Sequence, residues 1–151
     1  MKTVKYRFNR KIGQIFLDED GELTEVGNKL VIIVLWASQP IWGQPFESMP
    51  AQNWIQLTFL CEHGYLCHAV LNDGTTNALE PWIQYRKKLE DNAIALEEML
   101  TTISFENTDS QHQWFDYKFS GFRGKSGLGD RMRKIITKEK KRLIEPLGLV
   151  N

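Results

Sequence analysis

Apolar residues recur along this chain with two different spacings, and the switch between them marks out strands and helices. Val4, Tyr6 and Phe8, then Ile12, Ile15, Phe16 and Leu17, predict a strand segment of mixed periodicity over 4–17. An acidic turn follows, Asp18-Glu19-Asp20-Gly21, whose Asp-Gly pair is a hairpin signal. Gly27-Asn28 then introduces the most apolar strand, Lys29 to Trp36. Pro40 and Trp42 extend it as a bent edge, since proline has no N–H for a sheet ladder. Gly43, Pro45 and Pro50 make 43–53 a loop.

Residues 54–61 and 65–72 predict a hairpin closed by Glu62-His63-Gly64, a type I turn followed by glycine in the left-handed region. In that register Ile55, Leu57, Phe59 and Cys61 share a wholly apolar face with Tyr65, Cys67, Ala69 and Leu71, which makes it the core face. Trp54, Gln56, Thr58, Leu60, Leu66, His68 and Val70 lie on the other face. Asn72-Asp73-Gly74 is a turn. Asn77 as cap, Glu80 and Pro81 then open a helix over about 78–99, with Trp82, Tyr85, Leu89, Ala93, Leu96 and Leu100 at spacings of three and four. Strands follow at 101–106 and about 113–121, joined by a polar turn at 107–110. A basic loop at 121–129 leads to a last helix capped by Asp130, with Met132, Ile135, Ile136, Leu143 and Ile144 on one face. Pro146 and Gly148 end it.

These elements predict one mainly β (α+β) domain with two helices over 1–151. Without its N-terminal strand segment and its basic C-terminal loop and helix (122–145), the order is β-β-β-α-β-β over about 29–121. That order is similar to the OB-fold, a five-stranded barrel that closes its edges, and the resemblance implies an OB-like barrel that binds single-stranded nucleic acid. It rests on the order and length of the elements.

Composition is that of a globular chain, with 42% hydrophobic and 25% charged residues. The longest apolar run, Leu30 to Ala37, is far shorter than the roughly 20 residues that cross a bilayer, so no membrane partner is expected. The Lys-rich start has no apolar stretch of a secretory signal, and two cysteines make no disulfide framework. The expectation is a soluble cytoplasmic protein. Net charge is zero, yet residues 1–11 hold five bases (Lys2, Lys5, Arg7, Arg10, Lys11) and no acid, and 118–142 hold ten bases against two acids. Two basic ends can form one basic face.

The chemistry follows from that charge. Trp114, Phe115, Tyr117, Phe119 and Phe122 lie among Lys118, Arg123 and Lys125. With Phe115, Tyr117 and Phe119 facing the core, Trp114 and Lys118 face out, and rings beside cations suit bases beside phosphates. Trp36, Trp42 and Trp54 are further candidates for an exposed platform, with a place in the core as the alternative for each. Gly-Phe-Arg-Gly-Lys-Ser at 121–126 is not a P-loop, because Phe119 stands where the pattern needs glycine. The last helix adds Arg131, Arg133, Lys134, Lys138, Lys140, Lys141 and Arg142; a solvated face is the plainer meaning of such a run, and an anionic partner the functional one. Cys61, His63, Cys67 and His68 cannot all reach one ion from opposite faces of a hairpin, so no metal is expected and the cysteines read as buried apolar residues.

The expectation is therefore non-enzymatic binding of single-stranded DNA or RNA without a cofactor. Its residues are Trp42, Trp54, Trp114, Lys118, Arg123, Lys125, Arg131, Arg133, Lys134, Lys138 and Lys141. The alternatives are an assembly module, in which the acidic middle of one copy meets the basic end of another, and a magnesium-dependent nuclease using Asp73, Asp116 and Lys118.

Overall fold

The computed structural model describes residues 2–74, 77–107 and 114–144. Its strands are β1 (Thr3–Asn9), β2 (Gln14–Glu19), β3 (Glu22–Gly27), β4 (Lys29–Ala37), β5 (Ile41–Gly43), β6 (Gln52–Leu60), β7 (Leu66–Asn72), β8 (Met99–Glu106) and β9 (Asp116–Arg123). The helices are α1 (Glu80–Asp91), α2 (Leu128–Lys138) and α3 (Lys140–Leu143). The protein is mainly β, and its mixed sheet curls as a half-barrel in the order β3-β2-β1-β7-β6-β4-β8-β9, with β5 paired to β6.

Turn chemistry and alternation build the centre as the sequence predicts. Ile55 pairs with Leu71, Leu57 with Ala69 and Phe59 with Cys67, so the apolar face of the β6–β7 hairpin points to the core. Gly64, at φ +77°, completes the three-residue loop, and its N–H donates to the Cys61 carbonyl. β4 and β5 act as one bent strand along β6: Val34 to Ala37 pair with Phe59 to Leu57, Ser38 N–H donates to the Gln56 carbonyl, and pairing resumes at Ile41 beyond Pro40.

Both faces of the sheet centre are covered. Inside, α1 lays Trp82, Tyr85 and Leu89 against the sheet, with Trp82 edge-on to Phe119 at 5.1 Å. The Tyr85 hydroxyl meets Thr101 Oγ1 at 2.7 Å. Outside, Leu128, Met132 and Leu143 of the C-terminal helices pack on Leu35 and Leu66. The irregular register between Val34 and Trp36 turns β4 toward that outer cluster.

Several expectations change. The N-terminal segment is two strands, β1 and β2, and the Asp20-Gly21 turn, both residues at positive φ, leads into a further strand, β3. The long helix over 78–99 stops at Asp91, because Ala93 is left-handed (φ +54°) and Met99 already begins β8. Leu79 rather than Asn77 stands at its start, where the Asp73 carboxylate accepts the Leu79 N–H. The last helix starts at Leu128 after a left-handed Gly127, with Asp130 inside its first turn, and breaks at Glu139 into α2 and α3. Most of the polar turn at 107–110, the start of the strand expected from 113, and Pro146 with Gly148 lie outside the described residues. The order from β4 to β9 keeps the expected β-β-β-α-β-β sequence apart from the short β5, but β1 takes the free edge of β7.

Across the curl, the last strand β9 reaches the end of β7 through a buried pair. Tyr117 Oη donates to Asn72 Oδ1 at 2.9 Å and accepts the Asn72 N–H at 3.3 Å. Burial pushes the Tyr117 phenol up, against the opposing charge of Arg10, so it stays neutral and keeps its proton to donate. Tyr117→Phe strands two buried polar groups and should cost about 1–3 kcal/mol of unfolding free energy in urea titrations. An unchanged midpoint would show that this pair does not hold β9 to β7.

Candidate nucleic-acid interface

β1 alternates. Val4, Tyr6 and Phe8 turn inward, and Thr3, Lys5 and Arg7 turn to the outer face. β7 beside it turns His68 and Val70 outward, and β2 on its other side turns Phe16 and Asp18 outward, because residues paired directly across strands share a face. Over this floor the loop after β5 brings Phe46, whose ring lies 5.3 Å from the Arg7 guanidinium and 5.6 Å from the Trp54 ring. The result is a hollow of about 510 Å³ lined by Lys5, Arg7, Arg10, Lys11, Phe16, Asp18, Leu23, Phe46, Met49, Trp54, Val70 and Trp114 among others.

The cations in the hollow differ in freedom. Arg7 Nε donates to Asp18 Oδ2 at 2.7 Å. Arg10 is buried, donates from Nε to the Phe115 carbonyl at 3.1 Å, and sits 5.9 Å from the Trp114 ring and 5.6 Å from that of Tyr117. Lys5 and Lys11 are exposed. At the Thr3 end the C-terminal helix closes in: Arg142 donates to Thr3 Oγ1 and to the buried Glu139 carboxylate at 3.3 Å, while Lys140 and Lys141 stay exposed. The two basic ends of the chain therefore meet on β1. Inside that corner Thr58 Oγ1 donates to the Leu143 carbonyl at 2.6 Å and contacts His68 Nδ1 at 3.0 Å.

The sequence-predicted residues scatter. Trp114 is 40% exposed and lines the hollow. Trp54 is a correction: it is 2% exposed, because Phe46 covers it and its Nε1 donates to the Gly43 carbonyl, so it is a wall and not a stacking surface. Trp42 is 67% exposed, but it pairs with Asn53 and so projects from the opposite face to Trp54. Trp36 packs in the outer cluster beneath the C-terminal helices. Lys118 faces out from β9, 3.6 Å from Glu106.

Arg123 and Arg133 are not unpaired cations. Glu98 receives Arg123 at 2.7 Å, and Arg133 reaches Glu97 at 3.4 Å and Asp130 at 2.8 Å. These acids come mostly from the turn before β8, which the balance counted within 118–142 left out. Lys125, Arg131, Lys134, Lys138 and Lys141 are exposed. Lys125 borders a second, more polar hollow between Glu98, Arg123 and the start of α2.

Cys61 and Cys67 are buried, Cys67 Sγ–H donates to the Tyr65 carbonyl at 3.3 Å, and burial beside Cys61 raises the Cys67 thiol. Exposed His63 points to Glu62, and His68 is buried against Thr58. Among the described residues no three His, Cys, Asp or Glu groups cluster as metal ligands, and no helix is long and apolar enough to cross a membrane. Lys5, Arg7, Phe16 and Phe46 were missed as site residues. The alternation of Lys5 and Arg7 with Val4 and Tyr6 was their signal. Comparison with protein-family models, with curated proteins and with solved structures finds no match for this chain.

Burial alone would raise the Asp18 carboxyl, but the Arg7 hydrogen bond, the Gly21 N–H and the charges of Arg7 and Lys5 outweigh it and hold its pKa below the ordinary value. A depressed folded pKa stabilises fully above the unfolded value, about 4, and that contribution fades as pH falls through the folded one. The gap in unfolding free energy between wild type and Asp18→Asn should be complete at neutral pH and shrink below about pH 4. Urea titrations across pH measure it, and a constant gap would reject the charge-assisted pair.

Proposed function

We propose that the protein binds single-stranded nucleic acid, DNA or RNA, along the hollow on the outer face of β1, by stacking and phosphate contacts without a strict sequence code. The observation that carries this reading is the convergence of the N-terminal cations with Phe16, Phe46 and Trp114 around one concavity of about 510 Å³. A base offers a flat apolar face to a ring, and its phosphate remains outside within reach of a lysine. Trp114 stacks one base at the Arg10 end, where the guanidinium behind it adds positive potential to the site. Phe46 offers a second ring toward the middle. Lys5 and Lys11 neutralise phosphates, and a strand leaving the hollow past Thr3 meets Lys140 and Lys141 of α3.

The order of elements over 29–121 is similar to the OB-fold, and in this reading an OB-like platform is extended by β1 to β3, which supply one wall of the hollow. The protein acts by binding, in the cytoplasm, and the exposed cations Lys125, Arg131, Lys134 and Lys138 lend long-range attraction.

Tryptophan fluorescence of the full chain, titrated with an oligonucleotide at low salt, tests the proposal. Quenching is expected, Trp114→Phe should remove most of it, and Trp114→Ala should weaken binding by about 1–3 kcal/mol. Lys5→Ala and Lys11→Ala should each lower the slope of log affinity against log salt by about 0.7. Absence of quenching and of any mobility shift at micromolar protein would reject the reading, as would a salt slope that neither lysine alters.

A further inference from the structure

The sheet is open at both ends, and its two edge strands carry opposite charge. Among the described residues β3 pairs only with β2, and β9 only with β8. One side of each strand therefore keeps its backbone N–H and C=O groups directed away from the sheet. Residues 19–25, around β3, hold Glu19, Asp20, Glu22 and Glu25 and no base. Residues 116–125, along β9 and just past it, hold the bases Lys118, Arg123 and Lys125 against one acid, Asp116 at the start of the strand. Each edge strand also presents an apolar side chain to solvent: Val26 (40% exposed) on β3 and Phe122 (63%) on β9.

We infer that these edges are the two halves of one self-association interface, in which β3 of one copy adds to β9 of a second and continues the sheet between them. Backbone hydrogen bonds supply the attraction that any open edge offers, and side-chain charge selects the pairing. β3 against β3 sets Glu22 and Glu25 of both copies close together, and like charges facing one another across strands repel. β3 against β9 sets them beside Lys118, Arg123 and Lys125. Lys118 and Arg123 contact Glu106 and Glu98 of their own chain, so Lys125 is the cation that meets no acid of its own among the ion pairs described. The edges differ and lie at opposite ends of one sheet, so the contact is head-to-tail, and a series of copies closes into a ring or extends. This inference is independent of what the hollow binds.

The test uses the full chain freed of nucleic acid by nuclease and high-salt washing, followed by sedimentation over a range of concentrations at low and high salt. Wild type should associate at low salt and dissociate as salt rises. Two variants reverse one edge each, Glu22→Lys with Glu25→Lys, and Lys118→Glu with Lys125→Glu, and circular dichroism checks that both fold. Each alone should associate roughly tenfold more weakly. Mixed together they should recover the association, because each reversed edge then meets the other. A wild type that stays monomeric at every concentration overturns the inference, as does association that neither variant weakens or that mixing does not restore. Loss in the β9 variant alone would assign the contact to β9 against β9 and overturn it equally.

Discussion

The parallel ladder between β1 and β7 is the constraint on which the rest of the molecule depends. Its register pairs, Thr3 with Leu66, Val4 with Cys67 and Lys5 with His68, fix which side chains of β1 face in. Val4 and Tyr6 complete the core against Phe59, and Phe8 reaches Phe105 and Tyr117. A one-residue slip would turn these apolar groups to water and bury Lys5 and Arg7. From the same register follow the seat of Arg142 on Thr3, the floor of the hollow, and the position of Arg10 behind Trp114.

Charge is sorted by where acids fall in space. The bases around α2 form one dense run in the sequence, yet Arg133 is tied to Asp130 within the helix and to Glu97 from the turn before β8, and Arg123 of β9 is tied to Glu98 from that same turn. These exposed pairs are individually weak, worth about 0–1 kcal/mol, but they lower the net positive field near the start of α2. At β1 the balance differs: Arg7 has Asp18, whereas Lys5 and Lys11 keep their charge at the surface. The N-terminal strand thus holds the better-placed cations although the C-terminal helix holds more of them.

The parts legible in the sequence were those whose pattern has a local cause. The β6–β7 hairpin could be read because its alternation and the Glu62-His63-Gly64 loop agree on a single register. The facing of β9 could be read because Tyr117 and Phe119 alternate with Lys118 and Ser120. β3 escaped notice since almost all of it is exposed, so no burial pattern marks it. The end of α1 was misplaced because Ala93, Leu96 and Leu100 continue its spacing by coincidence, while Met99, Thr101, Ile103 and Phe105 already alternate as a strand. Trp54 was misread because its cover, Phe46, comes from a loop whose fold no local rule specifies. The hollow itself depends on a parallel pairing between distant segments, which periodicity cannot reveal.

The β1–β3 meander and the body from β4 onward are each held by neighbouring antiparallel pairs, and their seam combines a short parallel ladder of three register pairs to β7 with the packing of Val4, Tyr6 and Phe8 in the shared core and the bonds of Arg10 to Phe115 and Arg142 to Thr3. Opening along that seam separates two units that each keep their own antiparallel pairing. The concavity lies across it, with Phe16 and Leu23 contributed by the meander and Phe46, Trp54 and Val70 by the body. Anything that grips both sides at once therefore acts as a clasp, and slower amide exchange along β1 than in the free protein is how that clasp would show itself.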